Sequence, residues 1–110
     1  METKQAVEAL AALAQETRLE VLRLLVRAGP AGLAAGEISR RLDVPPPTLS
    51  FHLRALAQAG LVGASRQGRS LLYAADYARL RGLVAFLTEN CCEGPGLRRP
   101  AAAEARRGRA

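Results

Sequence analysis

Residues 47–56 read Pro-Thr-Leu-Ser-Phe-His-Leu-Arg-Ala-Leu, a run with the periodicity of an amphipathic helix. Leu49, Leu53 and Leu56 recur at spacings of four and three, which places them on one face of a helix. An aromatic ring and polar groups on the opposite side indicate a surface that binds a partner. By helical angle, that outward side carries Pro47, Thr48, Phe51, Arg54 and Gln58, with Ser50 at its margin.

A short helix and a tight turn are predicted just before this run. Residues 35–42 predict about two helical turns with Ile38 and Leu42 inward, and Asp43-Val44-Pro45 predicts the turn. The helix that follows is predicted over residues 46–59, with Gly60 as its C-terminal cap. A helix, a short turn and a second helix with a polar outward face form a helix-turn-helix arrangement.

Two more helices are predicted nearer the N-terminus. Residues 4–15 have apolar side chains at spacings of three and four, and Thr17-Arg18-Leu19-Glu20 matches a capping box that begins the next helix. That second helix is apolar around most of its circumference until Gly29-Pro30 ends it, which predicts the core helix. The two apolar sets are Ala6, Val7, Leu10, Leu13 and Ala14, then Leu19, Val21, Leu22, Leu24, Leu25 and Val26.

A hairpin and a last helix are predicted after the helix-turn-helix. Residues 61–65 and 70–74 are two short runs around a turn in which Gly68 supplies a positive φ, so they predict a two-stranded wing. Asp76 is the predicted N-cap of a helix over residues 77–90. The apolar face of this helix comprises Leu80, Leu83, Val84 and Leu87.

The predicted fold class is mainly α with a small β-hairpin: a winged helix-turn-helix of about five helices and a two-stranded wing. Residues 1–92 form the predicted winged helix-turn-helix domain, and residues 93–110 form a flexible Arg/Ala-rich tail. A chain of 110 residues is too short for a two-domain enzyme. It has neither an apolar run of membrane-spanning length nor a signal-peptide pattern, so we expect a cytoplasmic protein.

The charge of the chain favours a polyanionic partner. Lys and Arg number 16 against 10 Asp and Glu, a net charge of +6. Residues 93–110 hold five arginines and two glutamates, and so contribute +3 of this total. An excess of positive charge is typical of proteins that bind phosphates in nucleic acids, although solvated surface arginines give the same composition.

The order of elements, the run 47–56 and the wing sequence 66–73, Arg-Gln-Gly-Arg-Ser-Leu-Leu-Tyr, resemble the ArsR/SmtB family of metalloregulatory repressors. The phrase Glu16-Thr17-Arg18-Leu19 adds to the resemblance, which covers residues 10–90. The resemblance implies that residues 1–92 are a DNA-binding and dimerisation domain with a metalloid site at its end. It also implies a homodimer built through the first and last helices, and an effector that releases the operator. Three features depart from the family: residues 33–42 hold no thiol, residues 77–90 hold no histidine, and Pro45 occupies an N-cap where a hydroxyl is usual.

The candidate DNA-binding residues are on the second helix of the motif and on the wing. Hydroxyls and an arginine can contact phosphates or guanine edges, and a phenyl ring can contact a thymine methyl. Wing-tip arginines suit a phosphate or a narrow minor groove. His52, the single histidine, has a second interpretation as a hydrogen-bonded structural residue, and alone it cannot build a zinc site. The candidates are Pro47, Thr48, Ser50, Phe51, His52, Arg54, Arg66 and Arg69.

Cys91 and Cys92 are adjacent and follow the last predicted helix. A disulfide between neighbours closes a strained ring, so two reduced thiols that act as metal ligands are favoured. Trivalent arsenic and antimony are thiophilic, and some arsenic-responsive members of the resembled family carry such a pair, typically with a third thiol. Two sulfurs match a methylated trivalent arsenical, and arsenite and antimonite are the other candidate inducers. No cofactor is expected in the DNA-bound form.

The sequence therefore predicts a homodimeric repressor that leaves its operator when a trivalent arsenical or antimonite binds Cys91 and Cys92. One alternative keeps the DNA binding and makes the same cysteines a redox or reactive-sulfur sensor. A protein-interaction module that uses a winged helix without DNA is an alternative from another class. No constellation of nucleophile, acid and base is visible, so an enzyme is not expected.

Overall fold

The computed structural model describes residues 1–94, and within them it contains five helices and three strands. These elements confirm the predicted fold class. Of the predicted tail 93–110, residues 95–110 lie outside the described residues. The helices are α1 (Thr3–Leu13), α2 (Glu16–Ala28), α3 (Ala35–Leu42), α4 (Pro46–Gln58) and α5 (Tyr77–Thr88), and the strands are β1 (Leu33–Ala34), β2 (Val62–Gln67) and β3 (Ser70–Ala75).

The core lies around α2, as predicted, but α2 is not buried on all sides. Leu19 and Val26 are exposed, because the neighbouring elements cover one side of α2 rather than its whole circumference. Six residues are the largest fully buried side chains. These are Val21 and Leu25 of α2, Ile38 of α3, Leu49 and Leu56 of α4, and Leu61.

The predicted capping box at Thr17 is wrong. The helix begins at Glu16, so Thr17 already has helical neighbours on both sides, and Gln15 is the N-cap. The Gln15 side chain accepts a hydrogen bond from the backbone N–H of Arg18 at 2.8 Å. The cap therefore forms two residues earlier than the sequence motif indicates, and only Ala14 and Gln15 separate α1 from α2.

The helix-turn-helix is present as predicted. Asp43 closes α3 in the left-handed conformation, with φ of 55°, and the Ser39 hydroxyl donates to the carbonyl of Val44. Pro45 is the N-cap of α4 and provides no side-chain cap, which confirms the departure noted from the sequence. Backbone geometry rather than a capping hydroxyl thus fixes the start of α4.

The wing belongs to a three-stranded antiparallel sheet, in the order β1-β3-β2. The hairpin ends at the pair Gln67 and Ser70, and Gly68 takes a φ of 62°, as predicted. The sequence did not predict β1, in which Leu33 pairs with Tyr73. Gly32 precedes it with φ of 75°, and a Cβ there would lie 2.4 Å from the carbonyl oxygen of Tyr73, so only glycine fits.

The terminal helices leave apolar side chains uncovered. From the predicted face of α5, Leu83 is buried, whereas Val84 is 62% exposed and Leu87 is also exposed. On α1 the buried side is formed by Ala6, Ala9 and Ala12, while Val7 and Leu10 are exposed. The two helices contact each other, and exposed apolar side chains on both suit a surface that packs against a partner. Within residues 1–94, none of the helices is both long and apolar enough to cross a membrane.

Candidate nucleic-acid interface

The outward face of α4 is the centre of the candidate interface. Leu49, Leu53 and Leu56 anchor the opposite face in the core. This anchoring leaves the Phe51 side chain 60% exposed, which is unusual for a large apolar ring and is consistent with a contact surface. Four of the other predicted residues of this helix are exposed beside it: Pro47, Thr48, Ser50 and Arg54.

His52 does not belong to this exposed set, and its prediction as a DNA-contacting residue is corrected. Its side chain is only 7% exposed. Its Nδ1 lies 3.3 Å from Nη1 of Arg18, and its ring meets that of Phe51 edge-on, with the centroids 5.7 Å apart. Burial, and then the positive charge of Arg18, lower the pKa of His52 below its ordinary value of 6.5. The structural interpretation of this histidine is therefore favoured.

The wing presents its two arginines to solvent. Arg66 lies on β2 opposite Leu71, and Arg69 lies in the turn that follows Gly68. Both arginines are exposed, as are all residues from 63 to 71. A guanidinium in this position can reach a phosphate without first leaving a packed site.

A second pair of arginines was missed in the sequence. Arg40 and Arg41 end α3, the first helix of the motif, and both side chains are exposed. Each forms a salt bridge with Glu37. The hydrogen bonds that these two arginines donate lower the pKa of the Glu37 carboxyl, and the bond from Arg41 has the larger effect. In helix-turn-helix proteins the first helix crosses the DNA backbone, so this pair is a candidate for phosphate contacts. Two adjacent basic residues at the end of a short helix were the available signal.

The cysteine pair lies in the turn that follows α5. Cys91 and Cys92 are exposed, and their sulfur atoms are 2.9 Å apart. Asn90 and Cys92 have positive φ values of 58° and 66°, so the chain turns sharply around Cys91. Within residues 1–94, no group of three His, Cys, Asp or Glu side chains is placed to hold a metal ion.

Comparison with known proteins identifies the kind of molecule. Residues 13–62 match the family model of a helix-turn-helix domain. The chain is 30% identical over 89 residues to the transcriptional activator HlyU of Vibrio cholerae. This match covers 81% of this chain and 80% of HlyU. The reduced form of HlyU superposes with a TM-score of 0.62 and 29% identity, over 83% of this chain and 93% of that one.

Two further solved structures share the fold. An ArsR-like transcriptional regulator from Rhodococcus sp. RHA1 superposes with a TM-score of 0.71 and 30% identity, over 96% of this chain and 86% of that one. The homodimeric winged helix-turn-helix DNA-binding domain Mb0332 of Mycobacterium bovis superposes with a TM-score of 0.63 and 31% sequence identity. The match covers 87% of this chain and 89% of the Mb0332 chain. The chain has the helix-turn-helix, the wing and the relatives described above, and it belongs to the ArsR/SmtB family of winged helix-turn-helix transcriptional regulators.

Proposed function

We propose that this regulator is a homodimeric repressor that leaves its operator when a trivalent arsenical or antimonite binds Cys91 and Cys92. The observation that carries the proposal is the pair of exposed sulfur atoms 2.9 Å apart, in the turn that follows a helix with uncovered apolar side chains. Two sulfurs at this spacing can bind one soft atom together. A ligand bound to this pair would lie next to α5 and could change the packing of that helix.

Dimerisation through α1 and α5 is supported by their exposed apolar side chains. Val7 and Leu10 on α1, and Val84 and Leu87 on α5, would be left in water in a monomer. Burying them between two copies removes apolar surface from water, at about 25 cal/mol per Å². A two-fold axis would pair the same surfaces from both copies. The domain Mb0332, which is described as homodimeric, is consistent with this arrangement.

DNA binding through α4 and the wing is supported by their exposed side chains. Thr48, Ser50 and Arg54 can donate hydrogen bonds to base edges or phosphates, and Phe51 can pack against a thymine methyl. Arg66 and Arg69 supply the charge for a phosphate or minor-groove contact. The second helix of a helix-turn-helix, here α4, is called the recognition helix. In a dimer the two recognition helices would read two half-sites about one helical turn of DNA apart.

Trivalent arsenicals bind a dithiol by exchanging hydroxyl groups for sulfur. Methylarsenite, CH3As(OH)2, exchanges both hydroxyls for sulfur: each thiol proton leaves with one hydroxide as water, and two As–S bonds form. Arsenite reacts with the same two thiols and retains one As–OH bond, so a dithiol satisfies the methylated species more fully. No change of oxidation state is needed. This is why we place methylarsenite beside arsenite and antimonite as candidate inducers.

Release from DNA requires that the ligand bind the low-affinity state more tightly. The pair follows α5, so a cyclic dithiolate that reshapes residues 90–92 would act on the end of a dimer helix. Loss of one sulfur leaves a single As–S bond, which cannot hold that cyclic arrangement. The differential affinity, and with it the release, would then largely vanish.

The test is fluorescence anisotropy on a labelled duplex that the parent protein has selected from a random pool, with arsenite, methylarsenite, antimonite, zinc and peroxide added in turn. We expect Cys91→Ser and Cys92→Ser to change the unliganded affinity by no more than a few tenths of a kcal/mol, and to stay bound at arsenical concentrations that release the parent. Thr88→Ser is the matched control, since it alters the same helix end and keeps both sulfurs. The proposal would be contradicted if either cysteine variant left the duplex at the arsenical concentration that releases the parent.

A redox switch at the same cysteines is the second candidate. The short distance between the sulfur atoms favours it, and the relative HlyU has been solved in a form described as reduced. Two thiols would lose two protons and two electrons to peroxide, which becomes two waters, and an S–S bond would form. Mass spectrometry separates the two candidates. Oxidation removes two hydrogens from the chain, whereas methylarsenite adds the mass of its CH3As group and removes the same two thiol hydrogens.

A further inference from the structure

Arg18 connects three helices near the start of α2. Its backbone N–H donates to Gln15 Oε1. Its Nε donates to the carbonyl oxygen of Ala12 at 2.7 Å, and its Nη1 lies 3.3 Å from Nδ1 of His52. A single half-buried guanidinium therefore joins the end of α1, the beginning of α2 and the middle of α4.

The contact with Ala12 fixes Arg18 to α1. Ala12 lies in the last turn of that helix, where carbonyl groups have no helical N–H partner and the helix dipole is negative. A cation that donates to such a carbonyl satisfies a bond that the helix cannot make for itself. Arg18 is thus tied to the helix that we place at the dimer contact.

The contact with His52 fixes the rotation of α4 about its own axis. His52 lies between Phe51, which is exposed, and Leu53, which is buried, so its ring is at the boundary of the two faces of the helix. A guanidinium carries donors only. His52 Nδ1 must therefore accept the hydrogen bond, which requires the neutral ring with its proton on Nε2.

We propose that Arg18 and His52 are positioning residues that hold the recognition helix against the α1–α2 junction, and that operator affinity depends on a neutral His52. The inference rests on the proposed role of α4 in reading DNA, and it is independent of the arsenical site. In a dimer, the distance between the two recognition helices must match the distance between half-sites. A bond from the dimer helix to the recognition helix, through Arg18, sets that distance.

The surroundings of His52 give the sign of the pH dependence. α1, α2, α3 and β2 pack against α4, and among the described residues Arg18 of α2 is the charged group whose field acts on the ring. Because folding lowers the pKa of His52, the neutral ring stabilises the folded state above pH 6.5, and this contribution is lost as the pH falls below that value. Protonation also removes the acceptor and places two cations side by side.

The test uses His52→Asn and His52→Gln, which differ in where they place an acceptor. The δ atoms of asparagine coincide with the Nδ1 position, whereas glutamine fills more of the ring volume and places its polar atoms at the ε position. If the ring acts by packing alone, the glutamine variant binds DNA better. If Nδ1 positions the helix, the asparagine variant keeps most of the operator affinity, and the glutamine variant loses about tenfold or more.

Anisotropy would be measured on the selected duplex and on a scrambled duplex, at temperatures where circular dichroism finds every variant folded. We expect the ratio of the two affinities to fall for His52→Gln and for Arg18→Met, and to be retained for His52→Asn. From about pH 7.5 to about pH 5.5 the parent should lose this ratio more steeply than His52→Asn, which has no ring to protonate.

Equal ratios for all variants, or equal pH profiles for the parent and His52→Asn, would overturn the positioning role while leaving DNA binding intact. A parent protein that selects no duplex would overturn the DNA-binding proposal itself, together with this inference. The two failures are therefore distinguishable within one experiment.

Discussion

The recognition helix α4 and the wing both present exposed arginines, yet different forces hold them in place. Leu49, Leu53 and Leu56 of α4 are buried, and His52 ties the helix to Arg18 of another helix. The wing has no buried side chain between residues 63 and 71. Its shape comes from backbone pairing of β2 with β3 and from glycine turns. One candidate DNA contact is thus fixed by packing, and the other by backbone hydrogen bonds.

This difference suits the two kinds of DNA contact. Side chains that read base edges must be placed within a fraction of an ångström, which a packed core can guarantee. Contacts with phosphates tolerate a less constrained element, because charge acts over a longer distance and carries no sequence information. Substitutions in the two regions should therefore differ in kind as well as in size.

The largest expected difference is in stability. Leu56→Ala, at a side chain with 0% exposure in α4, should lower the free energy of unfolding by about 2–5 kcal/mol, because it leaves a cavity. Leu71→Ala, on the wing at 39% exposure, should cost less than about 1 kcal/mol. Urea denaturation at one protein concentration measures both. Similar costs would mean that the wing is packed in solution as tightly as the core.

The next effect separates the base of the wing from its tip. Gly32→Ala and Gly68→Ala both force a residue with a side chain into a positive φ, at about 1–2 kcal/mol each. At Gly32 the new Cβ would also meet the Tyr73 carbonyl at 2.4 Å, whereas none of the described atoms lies within 4 Å of a Cβ at Gly68. We expect the larger drop in melting temperature for Gly32→Ala. The reverse order would show that β1 does not hold β3 in place.

The smallest effect concerns the charges on DNA. Arg66→Ala with Arg69→Ala should weaken binding to every duplex and lower the slope of log K against log salt by about one to two units. Arg54→Ala should instead reduce discrimination between the selected and scrambled duplexes. Anisotropy titrations at several salt concentrations measure both quantities. The control removes the same charge from α2: Arg23→Ala with Arg27→Ala should leave the salt slope unchanged. If the wing variant also left the slope unchanged, the wing would not be part of the interface.

Much of the architecture was predictable because its signals are local. The leucine spacing of four and three predicted α4, Asp76 predicted the start of α5, and Gly68 predicted the hairpin turn. Each depends on residues within a few positions of one another, so the sequence contains the whole interaction. The exposed face of α4 followed from the same spacing. The position of the cysteine pair after α5 also needed nothing beyond the order of residues.

Other features were set by tertiary contacts. The strand β1 has two residues and exists because β3 lies beside it. The exposure of Leu19 and Val26 depends on which side of α2 its neighbours cover. Thr17 forms no cap because α1 ends at Leu13 and α2 begins at Glu16. None of these outcomes can be read from a local pattern, since each is decided by a segment distant in sequence or by the path between two helices.

His52 marks the boundary between the two kinds of information. Its place on α4, next to the buried leucines, was determined by the sequence alone. Its role was decided by the fold, which brings Arg18, 34 positions away, to 3.3 Å from its ring. The leucine spacing predicted that the ring lies near the edge of the buried stripe. It could not predict which charged group would lie beside the ring. Helical periodicity fixes the face on which a side chain lies, whereas only the packing of helices fixes its partner.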